Sequence, residues 1–231
     1  MVSAHQTRNV LLLAAAQALF QTASVMVMTV GALAAARIAA EPWLATAPIA
    51  TMFLGTAAAT FPASMLMARC GRRFGFLLGA MLGAIGGLAG AGGIWAGSLL
   101  LLCLGTLAIG AYQGFAQFYR FAAAEVADPA FRPRAISYVM AGGVFAAIVG
   151  PELGRLGGPL LSVEFTGSFL LLVAVSLLAS GFLLGLRIAP PGTAHAAADL
   201  GVVLWPLGAI VAQPAYLVAL FGAATGYGVM I

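Results

Sequence analysis

Charge is what this chain most lacks. It has no lysine, and its ten arginines and six acidic residues leave only 7% of 231 positions charged. The gaps between charges are long: 28 residues from Arg8 to Arg37, 27 from Glu41 to Arg69, 46 from Arg73 to Arg120, 22 from Glu164 to Arg187 and 32 after Asp199. A helix needs about 20 apolar residues to cross some 30 Å of hydrocarbon, and a soluble domain carries about 25% charged residues. Together these exclude a water-soluble fold, as do the 63% hydrophobic content and the mean hydropathy of +1.08. Runs this long and continuous also lack the alternating ten-residue pattern of barrel strands. The expected class is an all-α integral membrane protein whose solvent and first partner is the lipid bilayer.

Cysteine is scarce too. Cys70 falls in a turn between two apolar runs and Cys103 inside another, so neither a disulfide framework nor a metal-ligand spacing exists. No metal and no cofactor are expected. The net charge of +4 is not clustered on a soluble face, so nucleic acid is excluded as a partner.

The longest gap, Arg73 to Arg120, holds two helices, with a tight turn at Trp95-Ala96-Gly97-Ser98 that also supplies an interfacial aromatic. Spans are therefore predicted near 9–34, 43–67, 74–94, 98–120, 135–154 and 165–187, with a seventh starting near 206. Only 17 residues separate Arg134 from Glu152, so the fifth helix is predicted to be short or to admit its end charges to the interface. With the amino terminus inside, eight arginines (8, 69, 72, 73, 120, 132, 134 and 187) fall on the cytoplasmic side and two (37 and 155) outside, a positive-inside bias. Although Ala34-Ala35-Ala36 has the small residues of a cleavage site, the apolar run before it is too long for a signal-peptide core, and the first helix is read as retained.

Between the second and third helices the chain reads Ser64-Met65-Leu66-Met67-Ala68-Arg69-Cys70-Gly71-Arg72-Arg73. This resembles the major facilitator superfamily loop G-x-L-a-D-R-x-G-R-R at Leu66, Arg69, Gly71, Arg72 and Arg73, with Ser64 in place of its glycine and Ala68 in place of its aspartate. After the fourth helix, Glu125, Pro129, Arg132, Arg134 and Ala135 resemble the family's E-x-x-P-x-x-x-R-[AG] loop. In the fifth helix, Gly150-Pro151-Glu152-Leu153-Gly154 resembles its G-P-x-x-G core.

Each piece has a physical reading. Gly71 permits a positive-φ turn, and its arginines sit at a helix carbonyl end and an anionic leaflet. Pro151 removes a backbone hydrogen bond and is expected to kink the fifth helix, while Gly150 and Gly154 admit a close neighbour. The resemblance implies that the loop arginines form a conformational latch with an acid. Since Ala68 removes the family's own acid, either Glu125 or Asp128 substitutes or the latch is weak.

Two helices carry polar stripes. Gln17, Gln21 and Ser24 recur at i, i+4, i+7 on the first, and Gln113, Gln117 and Arg120 on the fourth, with Tyr112 and Tyr119 on a flanking face. The family likeness implies that these two helices line a central cavity. Amides that both donate and accept, beside aromatic rings, suit a small organic solute, and a vitamin- or flavin-like one is the narrower reading. The stripes also serve as interhelical hydrogen-bonding glue in the competing reading. A fourth-helix family pattern, R-x-x-Q-G-x-G, keeps only Gln113 and Gly114, with Gly110 at its arginine and Ala116 at its last glycine. No acidic residue or histidine lies at the centre of the six spans, so no proton-relay carboxylate is assigned. Arg120 lies near a helix end, where snorkelling explains it, and Glu152 with Arg155 reads as an ion pair.

The expected organisation is an amino-terminal six-helix bundle (1–187), a cytoplasmic linker rich in proline and glycine (188–205) and the start of a second half (206–231) that ends without a polar flank, as in a truncated chain. The resemblance implies a secondary transporter in a bacterial inner membrane, working by alternating access with a carboxy-terminal half as partner. A non-transporting scaffold or receptor subunit is the alternative. An enzyme is disfavoured, because no nucleophile, base or metal constellation lies in the spans.

Overall fold

The computed structural model describes residues 4–188 and the isolated positions Gln213, Val218 and Gly222. The expected linker, apart from Ile188, and the start of a second half otherwise lie outside the described residues. Among the described residues every regular element is helical: α1 (Ala4–Ile38), α2 (Ala47–Cys70), α3 (Arg72–Trp95), α4 (Leu99–Ala116), α5 (Tyr119–Val126), α6 (Arg132–Gly157) and α7 (Thr166–Leu184), with 3-10 turns at Pro42–Thr46 and Gly158–Leu160. Six spans are long and apolar enough to cross a membrane. α4 and α5 together make the fourth, α6 the fifth and α7 the sixth.

Boundaries follow local chemistry. Gly71 alone joins α2 to α3 at φ 91°, a conformation that costs glycine little and any residue with a Cβ much more. The break inside the long uncharged run falls as predicted. α3 stops at Trp95, Gly97 turns at φ 66°, and the Ser98 side chain accepts the Leu101 N–H at the start of α4. The fourth span differs from the sequence expectation, and the fifth takes the second of its two predicted forms. The fourth is not one helix to residue 120 but breaks at Gln117–Phe118 and resumes as α5. The fifth is not short: α6 runs from Arg132 past Glu152 and Arg155, which pair at 2.7 Å one turn apart, so both charges ride inside the helix. α6 is continuous through Pro151.

The packing has an internal symmetry. The largest interfaces are those of α3 with α4, α1 with α6, α4 with α2, and α3 with α7. Exchanging the first three spans with the last three, in order, maps the last three of these pairs onto themselves, and it also relates the α3–α4 contact to the α1–α7 contact. Two three-helix repeats of this kind are the building plan of many secondary transporters.

Small residues let the paired backbones meet. A Cβ on Gly110 of α4 would fall on the Met52 carbonyl of α2, and one on Gly55 would fall on the Leu107 carbonyl. At the symmetric seam, Cβ atoms on Gly150 and Gly154 of α6 would come within 2.8 Å of Val25 and Val30 of α1, so the neighbour those glycines admit is the first helix. One buried cluster, around Leu13, Phe76, Tyr112, Tyr119 and Leu183, fills one end of the bundle. A second, around Val27, Met52, Ile94, Leu102 and Phe169, fills the other. The outer surface is apolar, with Leu100, Val144 and Ile148 each about 70% exposed, a surface that only lipid or another helix covers well. α2 and α6 are the least buried spans.

A Gly110→Val substitution should lower the stability of the detergent-purified protein by about 1–3 kcal/mol, read as a fall in the thermal unfolding midpoint. Gly181→Ala, on an exposed stretch of α7 with nothing within 4 Å of its Cβ, should leave that midpoint unchanged or slightly higher.

Candidate functional site

The structure separates the candidate residues by depth. Gln17 and Gln21 on α1 and Gln113 and Gln117 at the α4 end are half-buried, and Gln21 lies beside Gly143 of α6, whose absent Cβ would be 3.6 Å from its amide nitrogen. Ser24 turns inward and is buried. Arg120 is exposed, its guanidinium 5.0 Å from the Phe121 ring centroid.

Tyr112 and Tyr119 depart from the sequence expectation. Both are wholly buried, so the face flanking the glutamines points into the bundle and not onto an open surface. Glycines on α3 make the room: a Cβ at Gly79 would sit 3.3 Å from the Tyr112 ring and 2.7 Å from Phe115. Phe20 meets Tyr112 edge-on at 5.1 Å, and Phe76 meets Tyr119 at 4.7 Å. Such edge-to-face pairs add about 0.5–1.5 kcal/mol to the area the rings bury. The tyrosines thus hold α1, α3 and the fourth span together, and in this conformation they offer no stacking face to a solute.

Three threonines on α2, missed in the sequence reading, complete the polar surface. Thr51 and Thr106 share a hydrogen bond of 2.7 Å across the α2–α4 seam. The Thr56 hydroxyl lies 3.1 Å from the Gly110 carbonyl and 3.2 Å from the Gln113 side-chain oxygen, and Thr60 donates to the Thr56 carbonyl. The single Thr56 hydroxyl proton has a third acceptor in the Met52 carbonyl of its own helix at 3.0 Å, so Thr56 packs its hydroxyl against Gln113 while the Gln113 amide NH2 keeps its donors. The i, i+4 spacing of Thr56 and Thr60 was the available signal.

One end of the bundle gathers most of the arginines. Arg72 grips Glu125 of α5 through two parallel hydrogen bonds from its Nε and Nη2, and Asp128 instead accepts from Gln6 at 2.7 Å. Of the two candidate acids, Glu125 is therefore the one paired with Arg72. Gly71 sets the position of Arg72 at the first residue of α3. Arg73, beside it, donates to the Leu184 carbonyl of α7 at 2.7 Å, and Arg8 donates to the Gly185 carbonyl at 2.9 Å. Asn9 clasps Arg187 through both backbone groups. Arg69 and Arg134 stay on the surface. At the opposite end, Arg37 pairs with Glu164 at 2.6 Å and lies over the Phe165 ring.

No family model matches the sequence. Two proteins do. The chain is 39% identical over 229 residues to the riboflavin transporter RfnT of Brucella anthropi, covering 96% of this chain and 56% of that protein. It is 31% identical over 157 residues to the MFS-type transporter YdeG of Bacillus subtilis, covering 68% of this chain and 34% of that protein. The chain spans about half the length, or less, of the curated relatives it matches. Six spans, two packed three-helix repeats and the arginine turn at Gly71 agree with these similarities. The chain belongs to the major facilitator superfamily and is an integral membrane protein.

Because Glu125 is half-exposed, the Arg72–Glu125 pair should contribute at most about 1 kcal/mol to stability. In a double-mutant cycle of Arg72→Gln and Glu125→Gln, the coupling read from unfolding midpoints should be of that size and should shrink in high salt.

Proposed function

We propose that the chain is the amino-terminal portion of a bacterial inner-membrane secondary transporter that moves a flavin, or a comparably flat and amide-rich solute, by alternating access. The observation that carries this reading is the similarity to RfnT along nearly the whole chain. The chemistry of the candidate surface agrees with it. A flavin ring edge alternates carbonyl acceptors with N–H donors, and the half-buried amides of Gln17, Gln21, Gln113 and Gln117 can meet both. The poorly buried faces of α2 and α6 are the surfaces a second half would cover while it rocks against this one.

The proposal assigns the arginine-rich end to the cytoplasm, following the eight-to-two distribution of arginines. Cys70, exposed beside Gly71, is a natural reporter. In a Cys103→Ser background, a membrane-impermeant maleimide should label Cys70 in inside-out vesicles and spare it in intact spheroplasts. The reverse pattern overturns the orientation.

Expression of the full-length gene in a riboflavin auxotroph that lacks its own importer should confer saturable uptake of labelled riboflavin. Removing one neutral hydrogen-bonding amide, as in Gln17→Leu or Gln113→Leu, should raise the KM about threefold to tenfold. Tyr112→Phe, which alters only a buried hydroxyl, should leave the KM unchanged. Correctly inserted protein that moves no flavin refutes the substrate assignment.

A further inference from the structure

At the arginine-rich end, Arg8, Arg73 and Arg187 surround a cavity of about 540 Å³ whose remaining walls are Leu12, Leu184 and Gly185. Among the described residues no carboxylate pairs with any of these three arginines. Glu125 is already held by Arg72. Arg8 and Arg73 are instead anchored on backbone carbonyls at the end of α7. Each bond uses one of the five N–H donors of a guanidinium and neutralises none of its charge. The carbonyl end of α7 returns roughly half a negative charge, so three cations keep the cavity strongly positive. The arginines are thereby both oriented and unspent, the condition for recognising a phosphate.

Position decides which phosphate. Arg8 lies one helical turn from Leu12, which is half-buried, and Arg187 lies three residues beyond Leu184, the last residue of α7, which is 58% exposed on the outer surface. The cavity thus runs from a ring of cationic donors directly onto apolar side chains of the membrane-facing surface. A free phosphate has no use for that second half, whereas a phospholipid fits both parts. We propose that this notch binds the headgroup phosphate of an acidic phospholipid, with an acyl chain lying over Leu12 and Leu184. The lipid would brace α1, α3 and α7 at the one point where all three helix ends converge. This assignment concerns the outer wall of the bundle and is independent of the solute.

The test is native mass spectrometry of the full-length protein in detergent, titrated separately with phosphatidylglycerol, phosphatidylethanolamine and inorganic phosphate. Phosphatidylglycerol should be retained under collision conditions that strip phosphatidylethanolamine. Arg187 is the least risky residue to change, because its described bonds are made by its backbone. Arg187→Gln should weaken phosphatidylglycerol binding about fivefold and Arg187→Glu about thirtyfold, with the unfolding midpoint unchanged. Arg155→Gln, which removes the same charge at the far end, should leave the lipid affinity alone. Equal lipid affinity in Arg187→Glu and the parent protein, or an equal loss in Arg155→Gln, overturns the proposal. Arg187-dependent binding of inorganic phosphate with no preference between the two lipids assigns the notch to soluble anions and overturns it as well.

Discussion

Close approach of helix backbones at glycine is the constraint from which the rest of this bundle follows. In lipid there is no hydrophobic driving force between helices, because acyl chains are as apolar as leucine, and cohesion must come from packing and interhelical hydrogen bonds. Gly55 and Gly110 bring α2 and α4 so near that a methyl group would overlap a carbonyl, and Gly150 and Gly154 bring α6 so near α1 that one would come within 2.8 Å of the Val25 and Val30 side chains. At the α2–α4 distance the Thr56 hydroxyl reaches both the Gly110 carbonyl and the Gln113 side chain. A wider seam would leave Thr56 bonded only to its own helix. Packing therefore places the polar chemistry.

The same logic divides the polar residues of the spans into two kinds. Thr51, Thr106 and the buried tyrosines are spent on holding helices together, as the glue reading supposes. Gln17, Gln21 and Gln117 remain half-buried on α1 and the fourth span. Gln113 lies between the two groups, half-buried like the other glutamines and with its side-chain oxygen 3.2 Å from the Thr56 hydroxyl of α2.

Much of the architecture was legible because its causes are local. A charge-free run of span length is a helix in a bilayer whatever surrounds it, and Gly71 between two such runs needs only its own φ to make the turn. The Glu152–Arg155 pair was readable from its spacing. What escaped depended on partners distant in sequence. The stripe rule placed Tyr112 and Tyr119 beside the glutamines, yet nothing along the fourth helix says that Gly79 and Gly83 of α3 hollow out a place for them. Glu125 and Asp128 were equal candidates by position, and the choice rested on Gln6 of α1 engaging Asp128. The fifth span was expected either to be short or to admit its end charges, and it takes the second form, because Glu152 and Arg155 one turn apart neutralise each other and let the helix continue.

The energies of these contacts are ordered in a way that suits a moving part. Opening the α2–α4 glycine seam would forfeit its close van der Waals packing and the Thr51–Thr106 hydrogen bond, while the helix backbones keep their own bonds. The glycine seams join the first three-helix repeat to the second, so the two repeats are held together as one body. The Arg72–Glu125 pair is exposed enough that its strength is about 1 kcal/mol or less, which changes a two-state ratio by roughly fivefold. An interaction of that size biases a conformational equilibrium without trapping it. It joins the start of α3 to α5, the segment beyond the break at Gln117–Phe118, so it crosses from one three-helix repeat to the other at the edge of the bundle. The glycine seams and the Arg72–Glu125 pair thus both join one repeat to the other, and the ion pair adds only a small increment at the edge of an interface that close packing already holds.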